Sequence, residues 1–457
     1  MPPEPSRPDP ALRRQRPATT SRQHTGVRRR PPTVLIHGGT LVDPTGTRPG
    51  DVLIQDGVIV SAGNRVESAP AGTVVLDAGG CVVAPGLVDL HTHLREPGRE
   101  EAETVETGSR AAALGGYTAV VAMPNTEPAI DSAAVVRQVL ELGRDALCDV
   151  AVAGSITVGR EGTRLAPLAE MAALGVKLFT DDGSGVQDAR LMRRALEYAS
   201  SLGVTLAQHC EDSSLAAGGH MHEGEWSSRL GIPGQPAEAE ELMVMRDLAL
   251  CRLTGTPVHF LHLSTARSVA MVRGAKASGL PVTAEATPHH LCLTDACVAG
   301  YDTVFKVNPP LRSAEDAAAI RAGLADGTID AIATDHAPHA KEAKEAPFDQ
   351  APPGMIGLET ALGVALSELD LPIERVVALL SWKPAAIAGL AEHGRPITAG
   401  IPANLCVIDP EMEWTVDPAR MASRSRNTPF AGRTLRGRVR HTVLAGEPVV
   451  VNGQAQR

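Results

Sequence analysis

The sequence predicts an α/β protein: a (β/α)8 barrel of the TIM type with a small β-sandwich built from both chain ends. Three observations predict it. Eight short apolar runs alternate with stretches of helical periodicity through the middle of the chain, both ends read as strands without helices, and ligand-type side chains gather at the C-terminal ends of the apolar runs. Parallel barrel strands are buried on both faces and so read as nearly continuous apolar runs, and in such barrels the C-terminal strand ends form the active face.

Taken in order, residues 1–32 hold eight Pro and eight Arg with almost no apolar residue. Such a composition cannot offset its chain entropy, so a disordered tail is expected. From Val34 the alternation of VLIHGGTLVD, DVLIQDGVIVSAG and TVVLDAGGCVVAPG is that of strands, which gives a first sandwich portion over 33–84. The barrel follows over 85–395. Its runs are GLVDLHTH, YTAVVAMPN, DVAVAGSIT, GVKLFTDD, TLAQHCED, PVHFLHLS, PVTAEATPHH and DAIATDHAPH, and stretches such as DARLMRRALEYASSLG carry the helical period between them. Strands return over 396–457 in NLCVIDP and RHTVLAGEPVVVNG, and strands with one apolar face need a partner layer, so the two ends are expected to pair.

Composition narrows the function. The 457 residues are 43% hydrophobic and 21% charged, which is globular, and aromatics are only 2%, too few to build stacking platforms for single-stranded nucleic acid. The net charge is −10, and the first 32 residues carry eight Arg against two acids, so the body is more acidic still. An acidic body disfavours nucleic acid and membrane surfaces as partners. No apolar run approaches a spanning length and no export signal follows the first arginines. The seven cysteines are scattered without a CxxC pair, as expected for reduced thiols in a cytoplasmic protein.

The chemistry sits at the run ends. His91 and His93, at i and i+2, share a strand face with Cα atoms ~7 Å apart, close enough to reach one metal. Further ligand types end other runs: Asp181 and Asp182 the fourth, His209 the fifth, His262 the sixth, Asp335 the eighth. Four imidazoles with carboxylates suit Zn2+ or a similar cation, and the set is too large for one tetrahedral ion, so two metals sharing a bridging group are expected, arranged to activate water.

These strings resemble the cyclic amidohydrolases, and within them the long, class I type of bacterial dihydroorotase. PGLVDLHTHLREPG, GGYTAVVAMPNTEP, FTDDG, HCED, HLSTARS, TAEATPHHL, NPPLR, ATDHAPH, GLET and NTPF carry the resemblance, which extends from Val34 to about Arg440. It implies the reversible, metal-dependent interconversion of N-carbamoyl-L-aspartate and L-dihydroorotate in pyrimidine synthesis, with two Zn2+ per subunit. It places His91 and His93 on one ion and His209 and His262 on the other, with Asp335 as ligand and proton carrier. For the bridge it favours Asp182, although many amidohydrolases use a carbamylated lysine on the fourth strand, where Lys177 stands. Asp181 is then expected to cap the following turn.

The resemblance also implies substrate contacts from His93, Arg95, Asn125, Asn308, His339, and the Pro353 and Gly354 backbone. Arg95, two residues beyond His93, is expected on the same strand face, offering a planar fork to a carboxylate. His289 and His290 are expected to be structural. Arg95 also separates the alternatives, because a hydantoinase, dihydropyrimidinase or allantoinase acts on a ring without the extra carboxylate. A catalytically silent partner of aspartate transcarbamoylase should have lost ligands, and every expected one is present. The resemblance leaves open a homodimer and an association with aspartate transcarbamoylase.

Overall fold

A computed structural model describes residues 31–63 and 65–457. The tail expected over 1–32 falls almost wholly outside the described residues.

Two blocks of parallel strands form the centre. Leu87–Thr92, Tyr117–Ala122 and Asp149–Val152 make the first, and Leu178–Phe179, Thr205–Gln208, Val258–Phe260, Val282–Ala286 and Ala331–Ile332 the second. Single parallel bridges join the blocks on both sides, Gly154 to Phe179 and Thr92 to His336. Buried Asp89 reinforces the second junction: its carboxylate accepts from the Thr334 amide and hydroxyl, both at 2.7 Å, and from the Thr92 hydroxyl. The first strand is thereby held to the segment carrying Asp335.

Helices alternate with these strands and bury their apolar stripes against them. Ala189–Leu202 shows how the sequence bounds one: the Asp188 side chain accepts from the Leu191 amide, and Gly203 ends it in the left-handed region at φ 64°. The neighbouring Glu238–Thr254 also ends on a left-handed glycine, Gly255.

The chain ends meet in one nine-stranded sheet. The join is antiparallel, Leu405–Ile408 lying beside Val82–Pro85, and a separate apolar cluster including Val34, Ile36, Val83, Leu405 and Val443 fills it. Asp43 ties the ends together a second time. Its carboxylate accepts from the Thr45 amide at 2.7 Å, the Arg48 guanidinium at 2.8 Å and the Ile397 amide at 2.9 Å. Burial pushes the Asp43 carboxyl up, but these donors outweigh it and its pKa is lowered. Asp43→Ala should therefore cost about 1.5–3 kcal/mol in urea unfolding at neutral pH. A depressed carboxylate stabilises only above its unfolded pKa of about 4, so the difference between variant and wild type should shrink as pH falls below that. A penalty that stays constant down to pH 3 would mean that packing, not charge, is lost.

Candidate active site

The four histidines and two aspartates come together where the strands end. His91 is the next-to-last residue of the first strand, and His93 lies just beyond its end at Thr92, the two rings 5.2 Å apart. Asp182 is the hub. Its Oδ1 is 3.4 Å from His91 Nε2 and 3.5 Å from both His209 Nδ1 and His262 Nε2, while its Oδ2 is 3.5 Å from His93 Nε2. Asp335 Oδ1 lies 3.1 Å from His93 Nε2 and 3.5 Å from His91 Nε2.

Outer partners decide which nitrogens face inward. His91 Nδ1 donates to Glu285 at 3.0 Å, since a carboxylate only accepts, and this leaves a lone pair on Nε2. His93 Nδ1 is likewise engaged by Asn125 Oδ1 at 2.8 Å, and Nε2 of His209 faces Glu211 and Asn308. His209 Nδ1 and His262 Nε2 stand 2.9 Å apart. Lone pairs thus converge on one another and on two carboxylates. Within this knot His91 Nε2 and Asp182 Oδ1 are buried and make no hydrogen bond among the described residues. Orphaned buried acceptors of this kind require positive charge between them.

The titration directions agree. Burial opposes ionisation of Asp182 and Asp335, yet the surrounding imidazoles, His91 foremost, hold both well below the usual carboxylate range. His91 is raised well above its ordinary value by Asp182 and Asp335 despite burial. The donor set therefore fits divalent cations, and its nitrogens and oxygens fall into two groups able to hold a metal ion: His91, Asp182 and His262, and His91, His93 and Asp335.

Beside this knot is a second cluster. Arg95 is buried, its Nε donating to the Pro338 carbonyl at 3.1 Å and its terminal nitrogen 3.5 Å from His339 Nε2. His339 Nε2 is also 2.8 Å from the Pro353 carbonyl, which makes that nitrogen the protonated one and leaves Nδ1 as an acceptor. The Gly354 amide is taken by the Lys306 carbonyl at 2.9 Å. Asn308 points into the metal-type cluster instead, donating to Glu211 at 2.7 Å. A cavity of about 320 Å³ opens beside it, lined by Glu211, Lys306, Asn308 and Pro353 among others.

Three sequence expectations change. Arg95 is not on the strand, which ends at Thr92; a left-handed backbone at φ 61° carries its side chain to His339 instead. Asp181 does not cap the following turn with its side chain. That carboxylate accepts from the Ile156 and Thr157 amides at 2.8 and 3.0 Å, so it fixes the end of the preceding strand's loop. His339, expected to offer a directional donor to the substrate carboxylate or ring amide, is instead an acceptor at its free nitrogen. Lys177 lies apart from the ligands, exposed, against Gly389 and near Asp149 and His393 in a different cavity.

The chain is similar to known proteins over most of its length. Residues 80–268 match the family model described as dihydro-orotase-like. Relatives named dihydroorotase include that of Pelotomaculum thermopropionicum, 50% identical with 91% of this chain and 98% of that one covered, and that of Streptomyces coelicolor, 51% identical with 92% and 99% covered. The chain belongs to the dihydroorotase family. Among solved structures, the L-hydantoinase of Arthrobacter aurescens shares the fold at a TM-score of 0.83, with 25% identity over 93% of this chain and 97% of that one. The dihydropyrimidinase of Brevibacillus agri superposes at 0.81 with 24% identity over 93% and 96%.

For a dihydroorotase-family chain, the residues that sequence reasoning passed over are those behind the ligands. Glu285 joins His91 to His259, whose Nε2 is 3.0 Å from its second oxygen, and Glu211 joins His209, Asn308 and Gln235. Both stand in the strings TAEATPHHL and HCED; Glu285 lies inside the otherwise apolar strand Val282–Ala286, where an acid is itself a signal that a cation or donor faces it, while Glu211 follows the strand that ends at Gln208. His290 is structural, held by Thr287 and the Pro309 carbonyl.

Proposed function

We propose that this protein interconverts N-carbamoyl-L-aspartate and L-dihydroorotate, using two zinc ions held in a closed (β/α)8 barrel that spans 85–395, with the sandwich portions 33–84 and 396–457 beside it. The observation that carries the substrate assignment is Arg95. It is a buried guanidinium, and among the described residues no carboxylate pairs with it. Burial, then the charge of Arg99, lower its pKa only to about 10, so it stays charged at neutral pH. An unpaired buried cation beside the reaction centre suits a substrate bearing a carboxylate, which hydantoin lacks.

On this reading His91, His93 and Asp335 hold one ion, His209 and His262 the other, and Asp182 lies between. Such ions, when bound, polarise the scissile carbonyl and lower the pKa of water. The chain does the rest. Arg95 anchors the carboxylate, and His339 Nδ1 accepts from a ring N–H. Glu285 and Asn125 keep the His91 and His93 rings oriented. Asp335 carries a proton between the attacking water and the departing ring nitrogen. The seven free thiols suit the reducing cytoplasm expected from the sequence.

The test is to offer the purified protein dihydroorotate, hydantoin and allantoin in parallel, with metal content measured on the same sample. Turnover of dihydroorotate alone, at two zinc per chain, is expected. Preference for hydantoin would move the assignment to the hydantoinases. Arg95→Met should then lower kcat/KM for dihydroorotate by roughly 10- to 150-fold, the equivalent of ~1.5–3 kcal/mol, while sparing any turnover of an uncharged ring. Equal losses on both rings would make Arg95 structural.

A further inference from the structure

Lys344 has no role in the chemistry above, yet its ammonium is placed with care. It donates to the Pro352 carbonyl at 3.0 Å, the Gly354 carbonyl at 3.2 Å and the Lys306 carbonyl at 3.4 Å, three acceptors for three N–H groups. Neither Pro352 nor Pro353 has an amide hydrogen, so this segment cannot be held by an ordinary ladder. Its one amide donor, Gly354, goes to the same Lys306 carbonyl. Between the Pro352 and Gly354 carbonyls lies Pro353, whose own carbonyl meets His339 Nε2 at 2.8 Å.

Room at this point is short. A Cβ on Gly354, which lies at φ 147°, would stand 2.7 Å from His339 Nε2 and 2.8 Å from the Ala337 carbonyl. Asn427 grips the same place from the other side, donating to the Gly354 and Ala337 carbonyls at 3.1 and 3.0 Å and accepting from the His339 amide at 3.3 Å. The ring of His339 is thus set by a loop, and the loop is gathered by an ammonium.

We propose that Lys344 is a positioning residue: by drawing the Pro352 and Gly354 carbonyls together it presents the Pro353 carbonyl to His339, and so fixes which nitrogen of that ring faces the substrate. The inference rests on the substrate-pocket reading of Arg95, His339 and Gly354. It also gives the pocket a pH dependence of its own. Burial first, then the charge of Lys306, bring the Lys344 pKa down to about 7, opposed by Asp302. The other titratable groups around the loop are Asp349, whose carbonyl takes Lys306 Nζ, His220 at 3.4 Å from that same nitrogen, and His339 itself, which burial and the charge of Arg95 keep neutral. Below neutrality the ammonium is complete. As pH rises through about 7 it loses a proton, hence one of its three donors and its charge, and the grip weakens.

Steady-state kinetics on the zinc-loaded full chain test this. Lys344→Met should raise KM for dihydroorotate about tenfold, the loss of one charge-assisted contact, with kcat changed far less. In the wild type KM should climb between pH 6 and 8.5, and in Lys344→Arg, whose side chain keeps its charge, that climb should vanish. The pH comparison decides the matter even if Lys344→Met does not fold. A KM within twofold of wild type in Lys344→Met, or an unchanged pH climb in Lys344→Arg, overturns the proposal. Gly354→Ala separates the two levels of inference. If it raises KM while the lysine variants behave as wild type, the pocket stands and the clamp falls; if it too leaves KM unchanged, the pocket reading itself is wrong.

Discussion

Replacing Asp335 by Asn should slow ring opening and ring closure by a comparable factor, on the order of 10² or more. In opening, the attacking water sheds a proton and the departing ring nitrogen gains one. The Asp335 carboxylate, buried 3.1 Å from His93 Nε2, stands where it can receive the first and deliver the second. The imidazoles around it hold its pKa well below the usual range, which keeps it ionised at neutral pH. Microscopic reversibility requires the same group for closure, so a variant impaired in one direction only is excluded. Metal analysis should accompany the kinetics: Asn can still offer an oxygen, so its metal loss should be smaller than that of His91→Ala. Near-normal turnover in either direction removes Asp335 from the mechanism.

Asp182→Ala should empty the site and bring turnover to the detection limit, because this one carboxylate lies within 3.5 Å of all four histidines. Its removal leaves converging imidazole lone pairs with nothing between them, a costly arrangement in a buried site. Lys177→Ala should retain full metal content and turnover, since that side chain is exposed beside Gly389. Zinc content by elemental analysis, with and without bicarbonate, checks both. Activation by bicarbonate, or a carbamate mass on Lys177, reverses the assignment.

What could be seen in the sequence was governed by periodicity. Runs buried on both faces, such as YTAVVAMPN, stand out, and Tyr117–Ala122 is buried throughout. Ligand-type residues at run ends were legible for the same reason. What escaped depends on backbone turns and distant partners. The side chains of His262 and Asp335 were legible as ligands, but the left-handed backbone that aims them and Arg95, at φ 27°, 45° and 61°, is not announced by residue type. Asp181 is adjacent to Asp182 and identical in type, yet one closes a loop and the other faces four imidazoles. The Ile156 and Thr157 amides, contributed by the loop after the preceding strand, make that difference. Lys344 reads as an ordinary surface lysine in KEAKEAPF, because the carbonyls that occupy it come from elsewhere, two from the loop at 352–354 and one from Lys306.

The pairing of Leu405–Ile408 with Val82–Pro85 also sets a timetable for biosynthesis. When the nascent chain has delivered Val82–Pro85, its partner strand lies on the order of 300 residues ahead, and at about 5–20 residues per second the ribosome needs roughly 15–60 s to reach it. Through that interval an apolar strand edge is left without its neighbour, the kind of surface that recruits other chains. Co-translational protection by a chaperone is therefore most needed early, over the N-terminal strands. Chains truncated before Leu405 should fail by aggregation even though every ligand of the metal-type site is present in them.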